Sequence, residues 1–175
     1  MADPQEAAKR MIDRYGTKAL PIPVEELASR AGAQLSFEPF EGDVSGVLFR
    51  EEAEIIIGVN SAHPATRQRF TIAHELGHLL LHPGKPLIVD RWVRVNLRNS
   101  KSSLATDRQE IEANQFAAEL LMPRELVYSE VQRLFPLPQS FGDDEGLIVE
   151  LARRFNVSGE AMGIRLQNLG MRWPR

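Results

Sequence analysis

At 175 residues the chain can build one domain with a real core, or a domain with a small appendage. Apolar residues make up 43% and charged residues 26%, as in a folded globular protein, and there is no cysteine, which excludes a disulfide framework, a cysteine zinc knuckle and a cysteine nucleophile. The formal net charge of −3 does not suggest a dedicated nucleic-acid binder, although a local basic patch stays open.

The opening MADPQEAAKR has no apolar signal core, and no apolar run nears the ~20 residues that span a bilayer. The expected location is therefore cytoplasmic, with no membrane partner. There is no internal repeat and no low-complexity tract. Residues 4–15 are predicted helical, ending near Gly16; a second helix, Val24–Ala31, follows Pro21 and Pro23 and stops at Gly32. Three short strands are expected at Gln34–Glu38, Val44–Arg50 and Glu54–Val59, the last containing the β-branched run IIIGV of a buried strand. His63-Pro64 opens a long helix that runs to about His82 and is stopped by Pro83-Gly84. Beyond it lie a strand candidate, Leu87–Val95, a polar loop, Arg98–Thr106, and a helix over Asp107–Leu121 that ends at Met122-Pro123. Phe135–Gly142 reads as a linker, followed by helices at Asp144–Phe155 and Ser158–Leu169, with Ser158 as N-cap and Gly170 as stop. The order predicts an α+β fold with a small mixed or antiparallel sheet packed on a buried central helix and with C-terminal helices. The expected division is a first domain over 1–134 and a helical segment over 135–175.

Residues 74–78 read His-Glu-Leu-Gly-His. Positions i and i+4 lie one above the other on a helix, so His74 and His78 can offer two imidazole nitrogens to one ion. Glu75 projects about 100° from His74 and about 60° from His78, close enough to take a proton from an activated water without binding the metal. Chance alone would give this pattern in about one chain of this composition in a hundred, so context has to carry the reading. The helix is apolar nearly all round, with Phe70, Ile72, Ala73, Leu76, Leu79, Leu80 and Leu81, and is therefore expected in the core. Buried polar groups there need partners. The bland alternative is a pair of core histidines satisfied by backbone groups.

A catalytic zinc usually has three protein ligands. The residues after His78 are Leu79-Leu80-Leu81-His82, which rules out a ligand continuing the motif as HxxGxxH. On the Asp107–Leu121 helix, Ala113, Phe116, Ala117, Leu120 and Leu121 form one apolar face, and Glu110 and Asn114 fall inside it. Glu112, Gln115 and Glu119 share the opposite face. Glu110 is thus the expected third ligand, with Asn114 placed to accept a ligand ring N–H from the second shell; a rotated helix would put Glu112 there instead. His82 is read as a helix-end histidine, or as a fourth ligand.

With these residues in place, the sequence resembles the ImmA/IrrE family of metallopeptidases. RQRFTIAHELGHLLLH (Arg67–His82) is similar to its zinc helix, and EIEANQFAAELLMP (Glu110–Pro123) to its second signature, in which a Glu stands four residues before an Asn or Asp. The resemblance covers most of residues 10–125. It implies a minimal thermolysin-like metallopeptidase core, one Zn2+ per chain on His74, His78 and Glu110, and Glu75 as the catalytic base. It also implies a protein substrate of the helix-turn-helix transcriptional repressor class. Tyr128, Arg98 and His82 are candidates for stabilising the oxyanion.

The alternative is a DNA-binding or metal-sensing regulator. Leu151–Gly170 has helix-turn-helix character, with Arg153, Arg154 and Arg165 nearby, but Glu160 at the start of the second helix would face phosphates unfavourably. The oligomeric state is not legible.

Overall fold

The computed structural model describes residues 3–15, 19–51, 54–84, 86–91, 105–134 and 144–171. In chain order these form α1 (Pro4–Tyr15), α2 (Val24–Arg30), β1 (Gln34–Glu38), β2 (Val44–Glu51), β3 (Glu54–Asn60), α3 (Ala65–Leu81), β4 (Leu87–Arg91), α4 (Ala105–Leu121), α5 (Arg124–Leu134), α6 (Asp144–Phe155) and α7 (Gly159–Asn168). The fold is α+β, as expected. Among the described residues no helix is long and apolar enough to cross a membrane.

The four strands form one sheet in the order β1-β3-β2-β4. β1 runs parallel to β3, whereas β2 is antiparallel to both β3 and β4, so the sheet is mixed. The IIIGV run places β3 inside the sheet, with Ile57 and Val59 fully buried. On β2 the side-chain alternation points Gly46, Leu48 and Arg50 at α3: Leu48 is buried and Arg50 Nη2 donates to the His78 carbonyl at 3.4 Å. The β2–β4 register slips between Val44 and Gly46, a bulge that bends β2 where it passes the middle of α3.

α3 is the spine of the core. Its segment Thr71–His78 is buried throughout, and α1, α2, α4 and β2 all pack around it. The expectation that this helix, apolar nearly all round, is buried holds for its middle but not its end, where Leu80 is exposed. Arg69 fixes its start: the buried guanidinium donates to the Ile22 carbonyl at 2.7 Å and to the Asn156 carbonyl at 3.2 Å, joining α3 to the entry of α2 and to the α6–α7 turn. Asn60, buried at the end of β3, donates to the Val44 carbonyl at 2.8 Å and accepts from the Ala62 N–H at 3.0 Å, tying the sheet to the approach to α3.

Several boundaries differ from the sequence expectation. The long helix begins at Ala65 with Pro64 in the capping position, not at His63. β4 is seen over Leu87–Arg91; the rest of the expected strand, the segment 98–104 of the polar loop and the 135–142 linker lie outside the described residues. α5 went unanticipated, although Val127, Val131 and Leu134 recur at helical spacing just after Pro123. Ser158 does cap α7, its hydroxyl accepting from the Ala161 N–H at 3.1 Å.

α6 and α7 pack on the same core as the preceding elements, through Leu147, Leu151, Phe155, Met162 and Leu166. Glu119, placed by periodicity on the polar face of α4, is instead buried and forms an ion pair with Arg165 of α7. Arg165 also donates to the Met122 carbonyl at 3.0 Å, and Glu119 accepts from the Arg124 N–H at 3.0 Å. Removing one member of a buried pair strands the other charge. Arg165→Ala is therefore expected to lower the free energy of unfolding in urea by about 3–5 kcal/mol; a loss below about 1 kcal/mol would show the pair to be dispensable.

Candidate metal centre

The helical spacing of α3 puts the rings of His74 and His78 on one face, and their Nε2 atoms lie 3.0 Å apart. Glu110 of α4 meets them from across the helix pair. One of its oxygens is 3.2 Å from His74 Nε2 and the other 3.3 Å from His78 Nε2. Tetrahedral zinc with bonds of about 2.0–2.1 Å holds its ligand atoms about 3.3 Å from one another. The spacing and the donor set, two imidazole nitrogens and a carboxylate, therefore fit a divalent metal ion. Burial raises the Glu110 proton affinity, but hydrogen bonds from His74 and His78 outweigh it and hold the carboxyl well below its ordinary range.

α4 comes this close because α3 carries a glycine at the crossing. A Cβ on Gly77 would sit 3.0 Å from Ala113 Cα and 3.2 Å from the Ala113 carbonyl oxygen. Asn114, one turn after Glu110, lies with Oδ1 3.1 Å from His74 Nδ1. Glu112, the other ligand option left open by periodicity, points elsewhere: its oxygens meet His82 Nε2 at 3.0 Å and Arg108 Nε at 2.8 Å. Among the described residues the cluster able to hold a metal is His74, His78 and Glu110, and neither Glu112 nor His82 belongs to it. His82 is buried behind His78, with the two Nδ1 atoms 3.1 Å apart.

Glu75 is fully buried between α3 and β2. A Cβ on Gly46 would lie 2.5 Å from Glu75 Oε1 and 2.5 Å from Thr71 Cγ2, so the glycine at the bulge makes the space that this carboxylate occupies. Arg50, two residues along the same face, lies within electrostatic reach: burial lowers the proton affinity of its guanidinium, and the negative charge of Glu75 opposes that. Sequence reasoning missed Gly46, Arg50 and the His82–Glu112 contact. The signal for His82 was present, since it continues the i, i+4 series of His74 and His78. Gly46 and Arg50 gave none, because strand pairing alone brings them under α3.

The other expected residues fall away from this cluster or outside the description. The Tyr128 hydroxyl donates to the Leu169 carbonyl at 3.0 Å, joining α5 to α7. Arg98 lies outside the described residues. The arginines required for DNA contact are engaged by carboxylates: Arg153 with Glu150 at 2.7 Å, Arg154 with Glu130 at 2.9 Å and Glu150 at 3.0 Å, and Arg165 with buried Glu119. Arg153, with Arg154, holds the Glu150 carboxyl down to about 2. That leaves α6 and α7 without a basic face among these three residues.

Residues 28–167 match the peptidase M78 family model, the IrrE N-terminal-like domain. The chain is 30% identical over 164 residues to the radiation response metalloprotease IrrE of Deinococcus radiodurans, covering 91% of this chain and 45% of that protein. It is 29% identical over 119 residues to the uncharacterized immunity region protein 2 of Bacillus phage phi105, covering 67% of this chain and 66% of the phage protein. A solved Mycobacterium tuberculosis transcriptional regulator shares the fold, with a TM-score of 0.62 and 20% identity over 95% of this chain and 47% of that one. The chain thus spans roughly half to two-thirds of the length of these curated relatives.

Two outcomes are expected from the geometry. Equilibrium dialysis against zinc should load one ion per wild-type chain and none on His74→Ala or Glu110→Ala; stoichiometric loading of Glu110→Ala would remove that residue from the site. Gly77→Ala should cost about 1–3 kcal/mol in chemical denaturation by forcing α4 away from α3; wild-type stability would show that the crossing has slack.

Proposed function

The chain belongs to the peptidase M78 family of IrrE N-terminal-like domains, and on that premise we propose that it is a zinc-dependent endopeptidase acting on a protein substrate. The observation that carries this reading is the convergence of His74, His78 and Glu110 within metal-binding distance, with Glu75 on the same helix between the two histidines. The name of the Deinococcus relative supports the activity.

In this reading His74 Nε2, His78 Nε2 and Glu110 hold the ion, and Asn114 orients His74. A zinc ion there supplies Lewis acidity, which polarises the scissile carbonyl and lowers the pKa of water toward about 7. Glu75 takes the proton of the attacking water and passes it to the leaving amine. Arg50 contributes positive charge beside Glu75. Gly46 leaves the room in which that carboxylate can sit. The favoured substrate is a helix-turn-helix transcriptional repressor, a reading that rests on the resemblance of the two signature stretches to the ImmA/IrrE family.

The experiment is incubation of the zinc-loaded protein with purified helix-turn-helix repressors of its own organism, with product termini read by mass spectrometry. Wild type should give discrete cleavage, and Glu75→Gln should bind one zinc while cleaving about 10²–10⁴-fold more slowly. Cleavage by Glu75→Gln at the wild-type rate would remove Glu75 from the role of base.

A further inference from the structure

His82 is a third histidine on the face of α3 that carries His74 and His78, and it is almost wholly buried. Its backbone already serves the helix end, the His82 N–H donating to the His78 carbonyl at 3.1 Å, so capping does not explain the ring. The ring is held on both sides. Nε2 lies 3.0 Å from Glu112 Oε2, and Nδ1 lies 3.1 Å from His78 Nδ1. The far oxygen of Glu112 accepts from Arg108 Nε at 2.8 Å.

With a cation between His78 Nε2 and the Glu110 carboxylate, as the metal-centre reading requires, counting donors and acceptors fixes the direction of this chain. An ionised carboxylate only accepts, so the His82 Nε2 facing Glu112 carries the proton. A neutral imidazole has one donor and one acceptor nitrogen, so His82 Nδ1 accepts. The proton between the two rings then belongs to His78 Nδ1. His78 Nε2 is left with its lone pair, and this is the atom that faces His74 Nε2 and Glu110.

We propose that His82 and Glu112 form a positioning pair that fixes His78 in its Nε2-ligating tautomer and ring orientation. The proposal rests on the reading of His74, His78 and Glu110 as a metal centre. The two ligand histidines are then set by different acceptors. His74 has an amide oxygen, Asn114 Oδ1, which accepts whatever its surroundings. His78 has an imidazole, which accepts only while Glu112 keeps the His82 proton on Nε2. His78 is thus the more dependent ligand, and its support reaches from α3 through His82 to Glu112 and Arg108 on α4.

The test measures zinc affinity by competition with a chromogenic chelator. The protonation of His78 and His82 in the zinc-loaded protein is read by long-range proton–nitrogen NMR. Wild-type His78 should carry its proton on Nδ1. His82→Phe keeps the ring volume but offers no acceptor, and should weaken zinc binding about 10–100-fold. His82→Asn, whose Oδ1 can occupy the place of the imidazole Nδ1, should recover most of the affinity, which a merely space-filling role would not give. Glu112→Leu should weaken binding as His82→Phe does. Wild-type zinc affinity in His82→Phe, or a proton on His78 Nε2 in the wild-type protein, overturns the proposal. A wild-type protein that takes up no zinc would instead overturn the metal-centre reading and, with it, this proposal.

Discussion

The arrangement of this site depends on how closely α4 lies against α3. The helices approach backbone to backbone where Gly77 meets Ala113. At that separation the Glu110 carboxylate on α4 reaches both imidazole nitrogens on α3, at 3.2 and 3.3 Å. A Cβ at position 77 would press on Ala113 at 3.0 Å and force a shift of a few tenths of an ångström, comparable to what metal–ligand bonds tolerate. The glycine inside the HELGH sequence is thus a packing requirement of the ligand geometry.

The same crossing gathers an unusual amount of polarity into the core. His74, His78, His82 and Glu75 are buried, with Asn114 and Glu112 against them. Burying such groups is costly unless each finds a partner. For the histidines the structure meets this by running contacts in two directions, His74 to Asn114 and His78 through His82 to Glu112. The polar groups that penalise the fold in isolation become, once connected, the parts that orient one another.

The periphery follows a similar pattern. Buried Arg69 and Arg165 each donate to main-chain carbonyls of neighbouring elements, closing the gaps where loops meet helices. Both hold α6, α7 or the turn between them to the rest of the chain. The C-terminal helices consequently rest on the same apolar core as the residues that precede them. In Leu151–Gly170, read from sequence as helix-turn-helix-like, Arg153, Arg154 and Arg165 pair with Glu150, Glu130 and Glu119.

Local rules were sufficient for much of this. The 3.6-residue period placed His74 and His78 together and put Glu110 and Asn114 on one face of α4, and the β-branched run of β3 marked an interior strand, because each of these depends only on neighbours within a turn or a strand. The order of strands, the bulge at Gly46, the approach of Arg50 to Glu75 and the reach of Glu112 to His82 were not legible, since they join residues 20 to 30 positions apart or more. Periodicity also misjudged Glu119, because a helix face reads as polar until another element, here α7, covers it. The sequence by itself determined which side chains could serve one ion and on which helices they stand. Tertiary structure alone decided which of them meet, because the distance between two helices is set by the residues packed at their crossing and not by the pattern along either one.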